Sequence, residues 1–284
     1  MASVLSTNLM HARSYVGISV AGHVPMTMDK LSFTHLQASY GGDVGFVYEW
    51  QKSHFILQTG LNFSLDYPSL RVDSQWLAQD MIDTRGVPFI YRGILNNRTD
   101  RIMAGQLTVP LYIGAEWSGF YMMAGVKAVL NIHSKSSQRA QLMTAGDYGD
   151  RYYDWLEDMP NHGYYDYQPV QTDKPIKLRL YDIRVGAELG YSIYTSSPLI
   201  RIGVFAEYGV LEWTDNKNAT DPRTQADYTH YMSVDMTHVY GSEEGVNAKP
   251  HMLVCGLKLT LLFPVGGGYG TSHSKYPCRC NRDD

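Results

Sequence analysis

Apolar and polar residues alternate strictly along several stretches of this chain. In residues 40–50 one face carries Val44, Phe46 and Tyr48, whereas the other face carries Asp43 and Glu49 among glycines. Side chains of a β-strand point alternately to its two faces, so each such stretch predicts a strand with one apolar and one polar face. The alternation resumes at 55–65 after a few polar residues, which predicts an antiparallel hairpin.

The same hairpin pattern recurs twice, and a single alternating stretch lies near each end of the chain. Residues 106–117 and 120–131 flank Ser118-Gly119, and residues 181–191 and 200–210 flank a turn of roughly 192–198. The single stretches are 15–21 and 253–263. The sequence therefore predicts eight antiparallel strands, an even number, as bacterial outer-membrane barrels have.

The two faces predict an all-β fold, an eight-stranded up-and-down transmembrane β-barrel whose apolar side chains face lipid. The alternative is a soluble up-and-down barrel of the lipocalin type, in which the apolar face points inward. Aromatic residues at the turns and glycines on the polar face favour the membrane barrel. We expect a Gram-negative outer-membrane location, with periplasmic termini and short periplasmic turns. The long extracellular loops are then expected at 23–36, 67–101, 132–177 and 212–250.

Aromatic residues bracket the predicted short turns. Tyr and Trp favour the boundary between membrane and water, so we expect a periplasmic aromatic girdle there. Its predicted members are Trp50, Phe55, Trp117, Phe120 and Tyr191. A second girdle at the opposite boundary is expected from Tyr40, Phe63, Tyr181 and Trp213. Pro110 lies inside a strand and cannot donate a backbone hydrogen bond, so a β-bulge is expected at that position.

The polar faces bring charges of both signs into one narrow interior. An eight-stranded barrel is just wide enough for side chains to fill, and unpaired buried charge is costly, so we expect ion pairs that close the lumen. The alternatives are a proton or ion path and, less favoured because porins have about 16–18 strands, a diffusion pore. The predicted lumen network is Asp43, Glu49, Glu116, Lys127, Asp182, Arg184, Glu188, Arg201, Glu207 and Lys258.

The third long loop is rich in tyrosine and acidic residues. Exposed aromatic side chains among acids suit protein contact or stacking on sugars. The equal alternative is a loop that folds on itself above the barrel. The candidate partner-binding residues are Tyr148, Tyr152, Tyr153, Trp155, Tyr164, Tyr165 and Tyr167. Expected partners are outer-membrane lipid and, through the loops, another outer-membrane or surface protein or a glycan.

Composition excludes some classes of function but does not identify one. The net charge is −4 and no basic patch for nucleic acid is present, so no nucleic-acid partner is expected. No regular spacing of ligands predicts a metal site or a cofactor. We expect a non-enzymatic protein. The alternatives are a narrow channel or a lipid A deacylase or acyltransferase, for which His23, His133 with Ser134, and His251 are the weak candidates.

The ends of the chain carry separate expectations. Residues 1–12 resemble the tail of a signal peptide that ends in a small residue, so the mature chain is expected to begin near Arg13; a disordered N-terminus is the alternative. The barrel is expected to span 13–265, and residues 266–284 to form a flexible periplasmic tail. Cys278 and Cys280 lie in this tail, with one residue between them, too close for an unstrained disulfide.

Four short segments resemble the outer-membrane β-barrel domain family of Bacteroidota, the group that includes PorT-like proteins. They are Ser14 to Ser19 (SYVGIS), Leu107 to Gly114 (LTVPLYIG), Val185 to Tyr191 (VGAELGY) and Gly256 to Phe263 (GLKLTLLF). The resemblance covers roughly residues 14–263 and implies the same fold and compartment. It implies little about role, because such proteins include secretion-system components and subunits of assembly complexes.

Overall fold

The computed structural model contains thirteen β-strands in one antiparallel sheet. It describes residues 12–28, 34–72, 74–149, 155–174, 176, 178–195, 197–214 and 250–265. The strands are β1 (Arg13–Met28), β2 (Thr34–Leu36), β3 (Tyr40–Lys52), β4 (Phe55–Tyr67), β5 (Ser69–Val72), β6 (Gln75–Ile82), β7 (Pro88–Trp117), β8 (Phe120–Asp147), β9 (Trp155–Glu157), β10 (Gln168–Lys174), β11 (Tyr181–Tyr194), β12 (Leu199–Gly209) and β13 (His251–Val265).

Eight of these strands close into a ring, which confirms the predicted eight-stranded up-and-down barrel. Each strand pairs with its neighbour in the order β1, β3, β4, β7, β8, β11, β12 and β13. The ring closes where β1 pairs with β13, from Ser14 opposite Val265 to Met28 opposite His251. The closed ring leaves no free edge in the barrel wall.

The barrel wall has an apolar outside and a polar inside. Phe46 is 71% exposed and Val204 is 52% exposed, although both are large apolar residues in the middle of strands. Glu49 and Arg201 on the opposite faces are 0% and 1% exposed. A continuous apolar exterior around a charged interior is the arrangement of a barrel whose outside contacts lipid. No helix in the described part of the chain is long and apolar enough to span a membrane.

The short connections lie at one end of the barrel, called here the short-turn end. The predicted Ser118-Gly119 turn is confirmed, and both residues have positive φ angles of 51° and 87°. Such a turn matches the twist of a two-residue hairpin. The other two turns are tighter than predicted. Gln51 and Lys52 still pair with β4, and residues 192–194 still pair with β12.

The opposite end, called here the long-loop end, contains more strand than predicted. Residues 67–101 and 132–177 were expected to be loops, but β7 and β8 continue beyond the barrel and pair as far as Ile90 opposite Asp147. β6 pairs with β7, while β9 and β10 pair with β8. These segments, together with β5 and β2, form a sheet outside the barrel, which we call the outer sheet. Apolar and polar residues do not alternate regularly in segments such as β6 (QWLAQDMI), which is why the expectation was wrong.

Pro110 does not lie at a bulge, so that prediction is wrong. Pro110 keeps regular register opposite Lys127, and its carbonyl oxygen accepts a hydrogen bond of 2.9 Å from the Thr59 hydroxyl. The register shifts between β7 and β8 occur instead between Asn96 and Thr99 and between Gly105 and Gln106. The second shift lies close to the level at which the outer sheet leaves the barrel.

An apolar cluster fills the barrel interior toward the long-loop end. Trp213 was predicted to lie in the outer aromatic girdle, but it is 0% exposed and packs inside this cluster. The backbone N–H of Trp213 donates to the Pro250 carbonyl at 2.8 Å, and the backbone carbonyl of Trp213 accepts from the backbone N–H of Arg179 at 3.0 Å. The segments that contain Arg179 and Trp213 therefore hold each other in place at the mouth. The buried members are Ala21, Leu70, Val72, Ile102, Ala104, Phe205, Trp213, Met252 and Val254.

Candidate functional site

The barrel interior contains three groups of charges, and the first lies near the short-turn end. Arg201 on β12 lies between two carboxylates. Its guanidinium donates to Glu116 at 2.8 Å and pairs with Glu49 on the other side. Arg201 also lies 4.8 Å from the ring centre of Tyr121 and donates to the Ser192 hydroxyl at 3.0 Å. Arginine suits this position because its planar fork can serve two acceptors at once.

The second group lies in the middle of the barrel and contains two lysine–glutamate pairs. Lys258 on β13 donates to Glu188 on β11 at 2.8 Å, and the Tyr121 hydroxyl donates to the other oxygen of Glu188 at 2.7 Å. Lys127 on β8 pairs with Glu207 on β12, which also accepts from the Tyr112 hydroxyl at 3.2 Å. The two tyrosines thus complete the hydrogen bonding of the buried glutamates.

The third group lies closer to the long-loop end. Arg184 lies 3.6 Å from both Asp66 and Asp182, and it donates to the Gln106 side chain at 2.8 Å. His23 Nε2 lies 2.6 Å from the second oxygen of Asp66. Its other ring nitrogen lies 3.9 Å from Asp43. The structure thus brings all ten predicted lumen residues inside the barrel and connects each to an oppositely charged or titratable partner.

The lumen network predicted from the sequence lacks two members of the third group. His23 and Asp66 lie on the inward faces of β1 and β4, just beyond the predicted ends of those strands at residues 21 and 65. Both are buried, at 7% and 0% exposed. Inward positions recur every second residue, so extending each predicted strand by a few residues would have placed both side chains in the lumen.

Carboxylates outnumber cationic side chains in this interior. Among the described residues of the barrel, seven buried carboxylates face four lysines and arginines, with His23 as a fifth basic group. The carboxylates are Asp43, Glu49, Asp66, Glu116, Asp182, Glu188 and Glu207. Part of this surplus of carboxylates is explained because each arginine pairs with two of them: Arg201 with Glu49 and Glu116, and Arg184 with Asp66 and Asp182.

A cavity of about 530 Å³ opens at the short-turn end. Its lining includes Gln51, His54, Glu116, Tyr191 and Tyr194. Glu116, at its inner limit, is hydrogen-bonded to Ser192 at 3.0 Å and is paired with Arg201. The cavity is therefore open to the outside at the short-turn end and is closed on its inner side by the first charged group.

The predicted aromatic girdle residues all lie near the short-turn end. Phe55, Trp117, Phe120 and Tyr191 are between 44% and 54% exposed on the outside of the wall, and Trp50 is half-buried. The rings of Trp50 and Phe55 meet edge to face at 6.0 Å. At the other boundary, Tyr40 and Tyr181 are exposed, and Tyr40 stacks on Tyr67 at 4.9 Å.

The predicted loop tyrosines divide into two environments. Tyr164 is 3% exposed, and Tyr148 stacks on Phe89 at 4.8 Å, so these two pack against the outer sheet. Burial raises the pKa of the Tyr164 hydroxyl above its ordinary value. Tyr165 and Tyr167 are 38% and 42% exposed. Trp155 lies in β9, its side chain lies outside the described part, and Tyr152 and Tyr153 fall outside the described residues.

Ion pairs stabilise the outer sheet itself. Arg92 on β7 donates to Asp147 on β8 at 2.9 Å, and the Gly149 N–H donates to the same carboxylate at 3.0 Å. These two contacts, the backbone N–H first, hold the pKa of Asp147 below its ordinary value. Lys135 pairs with Asp173 on β10 at 2.9 Å, which likewise lowers the pKa of Asp173.

The candidates for catalysis do not converge. His133 is exposed on the outside of β8, whereas the neighbouring Ser134 donates to the Ile176 carbonyl at 2.6 Å. His23 is buried with Asp66, and His251 donates from Nδ1 to the Gly209 carbonyl at 3.1 Å. Among the residues that the structure describes, no cluster of His, Cys, Asp and Glu could hold a metal ion. The cysteines of the predicted tail, Cys278 and Cys280, fall outside the described residues.

Comparison with known proteins gives one distant structural similarity. No family model matches the chain, and no curated protein matches it. The chain is similar to Ail, the attachment invasion locus protein of Yersinia pestis, solved in complex with the heparin analogue sucrose octasulfate. The identity is 10% and the TM-score 0.30, over 88% of this chain and 99% of Ail.

The closed ring and its apolar exterior carry the architectural assignment. The protein is a transmembrane β-barrel. The finer resemblance to PorT-like proteins of Bacteroidota finds no support in these comparisons and stays a prediction.

Proposed function

We propose that this protein is a closed, non-enzymatic outer-membrane barrel that holds the outer sheet outside the cell as a binding surface for another surface component. The observation that carries the proposal is the continuity of β7 and β8, which pair from the Ser118-Gly119 turn to Ile90 and Asp147. One hairpin thus belongs to both the membrane wall and the outer sheet. A paired sheet keeps its shape, so it can present a fixed surface to a partner.

The interior supports a role other than solute transport. Charged groups and tyrosines occupy the lumen from the short-turn end, through its middle, to the third group around Arg184, and the Trp213 cluster packs toward the long-loop end. An interior filled by side chains leaves no water-filled route. The outside surface is then the part of the molecule available for function.

Exposed aromatic and apolar side chains support a partner-binding role for the outer sheet region. Tyr165 and Tyr167 are partly exposed, and Ile82 on β6 is 71% exposed. Aromatic side chains contribute strongly to protein interfaces and also stack on sugars. The expected partner is therefore a surface protein or a glycan.

The experiment is affinity purification from gently solubilised outer membranes after mild cross-linking. We compare the wild type with a Tyr165→Ser, Tyr167→Ser double variant and with Gln141→Ser, an exposed polar control on β8. The proposal expects one recurrent component that the double variant loses and the control retains. A set of captured components that is the same for all three proteins would refute this surface as the binding site.

The proposed orientation places the short turns and both termini in the periplasm, as is usual for such barrels. A membrane-impermeant thiol reagent tests it on intact cells, in a background without the native cysteines. Gln141→Cys on the outer sheet should react, whereas Ser118→Cys in the short turn should react only after the outer membrane is opened. The reverse pattern would contradict the proposed orientation.

A further inference from the structure

Three arginines of the outer sheet lie on one outward face. Arg71 on β5 is directly opposite Thr99 on β7, and Thr99 is directly opposite Arg139 on β8. Directly paired residues share a face of the sheet, so Arg71 and Arg139 flank Thr99 on the same side. Arg101 lies two residues along β7 and therefore points to this side as well. We call Arg71, Arg101 and Arg139 the arginine triangle.

The spacing of the triangle suits a single polyvalent anion. Neighbouring strands lie about 4.8 Å apart, so Arg71 and Arg139 are about 10 Å apart, with Arg101 about 7 Å along the strand between them. All three side chains are exposed. The long arginine side chains can converge over Thr99, and each guanidinium matches the geometry of a phosphate.

The triangle differs from three other basic residues of the outer sheet, because no described residue supplies it with an acidic partner. Lys135, Arg92 and Arg98 on the same sheet each pair with an aspartate. Among the described residues, no carboxylate lies within ion-pair distance of Arg71, Arg101 or Arg139. The nearest acidic group along the rows is Asp173, opposite Ser137, and Lys135 already pairs with it. Three like charges on one face repel each other unless an anion joins them.

The position of the triangle indicates which anion it meets. Arg101 lies 5.7 Å from the ring centre of Tyr40, which is exposed on the outside of the wall and stacks on Tyr67. Below this aromatic pair, the wall presents the apolar side chains Phe63, Leu61 and Val44. The arginine triangle therefore lies immediately next to the lipid-facing side chains of the wall, at the level where lipid headgroups begin.

We propose that the arginine triangle binds the phosphate groups of a phosphorylated outer-leaflet glycolipid, whose acyl chains lie along the apolar wall below Tyr40. The proposal rests on the outer-membrane location and the orientation given under the proposed function. It does not depend on a partner of Tyr165 and Tyr167, so either can fail without the other.

The test uses the full chain refolded in phosphatidylcholine vesicles that contain equal amounts of diphosphoryl lipid A and its fully dephosphorylated form. Native mass spectrometry after mild extraction measures the ratio of the two lipids retained. The wild type should favour the phosphorylated form by about tenfold or more, since each exposed charge contact contributes up to about fivefold. A wild-type ratio near one would overturn the proposal without any variant.

Charge-removing variants locate the site. Arg71→Gln, Arg101→Gln and Arg139→Gln should each lower the ratio, and the triple variant should bring it near one. Arg92→Gln and Lys135→Gln remove cations that are already paired on the same sheet, and both should keep the wild-type ratio. A triple variant that folds and retains the wild-type preference would overturn the assignment.

Inorganic phosphate separates a lipid site from a general anion site. Phosphate at millimolar concentration should displace little of the bound lipid, because it lacks the acyl chains that contact the wall. Displacement of the lipid by equimolar phosphate would overturn the proposed glycolipid and leave a site for soluble anions.

Discussion

His23 Nε2 on β1 lies 2.6 Å from Asp66 Oδ1 on β4, inside the barrel and across the intervening strand β3. This contact connects the first strand of the ring with the third. Asp66 also lies 3.6 Å from Arg184 on β11. One buried carboxylate therefore links β1, β4 and β11, three strands that do not pair with each other. Such contacts across the lumen stabilise the barrel in addition to its backbone hydrogen bonds.

We predict that His23 and Asp66 are energetically coupled. His23→Ala and Asp66→Ala should each destabilise the barrel, and the double variant should cost less than the sum by about 1–3 kcal/mol, the range for a buried hydrogen bond. Urea titrations of the refolded protein in lipid vesicles measure all four free energies of unfolding. Additive costs would show that the contact contributes no stability of its own.

Removal of one partner from the middle charged group should be strongly destabilising. Glu188→Ala leaves the Lys258 ammonium buried with only the Gln58 oxygen, at 3.3 Å, as an acceptor. The expected loss is about 3–5 kcal/mol, as for other broken buried ion pairs. The double variant Glu188→Gln, Lys258→Met removes both charges and should recover most of that loss. A double variant no more stable than Glu188→Ala would show that the unpaired Lys258 charge is not the cause of the loss.

Charge on the outside of the wall should be costly in proportion to its depth. Val204 lies at the middle of β12, whereas Val210 lies six residues further along, just past its end. Val204→Arg should cost about 2–4 kcal/mol and Val210→Arg about 0–1 kcal/mol. Both residues are exposed to similar degrees, 52% and 48%. Equal costs at the two positions, measured by refolding in vesicles, would contradict the proposed lipid contact.

Acid should loosen the outer sheet through Asp147. Contacts from Gly149 and Arg92 lower the pKa of this carboxyl below its ordinary value of 3.8. A lowered native pKa means that the stabilisation is present above the unfolded value and disappears as the pH falls through the native one. Hydrogen exchange in residues 88–96 and 141–147 should therefore be faster for Asp147→Asn than for the wild type at neutral pH. The two proteins should become alike well below pH 3.8, and a difference that persists there would exclude this carboxylate as the cause.

The alternation of apolar and polar residues was sufficient to predict the barrel. Lipid contacts one face of each strand and the charged interior contacts the other, so successive side chains must differ in polarity. Glu188 and Val204 lie on the predicted faces for that reason. The same rule failed at strand ends. His23 and Asp66 are polar residues just past the predicted strand ends at residues 21 and 65, although Val24 and Met28 continue the exposed apolar face of the first strand. Both strands were therefore predicted to be too short.

The outer sheet could not be predicted from the same rule. Its buried face contains polar as well as apolar side chains, since Asp100 and Gln138 are 0% and 1% exposed, like Leu95 at 1%. Polarity therefore does not distinguish the two faces there, and the register shift near Asn97 interrupts the pattern. Asn97 has a positive φ angle of 51°. Trp213 lies in a polar segment that would ordinarily be a loop, and its burial depends on contacts with residues far away along the chain, such as Ile102 and Met252. Distant contacts of this kind leave no local signal in sequence.

The central claim is that side chains close this membrane-spanning barrel, and conductance across a planar lipid bilayer tests it most directly. The purified, refolded protein should insert without producing stable current steps, because the charged groups around Arg201, Lys258 and Arg184 and the apolar cluster around Trp213 fill the interior. Insertion is verified in the same preparation by protection of the barrel from protease. Uniform, long-lived current steps of porin size from the wild-type protein would contradict the account.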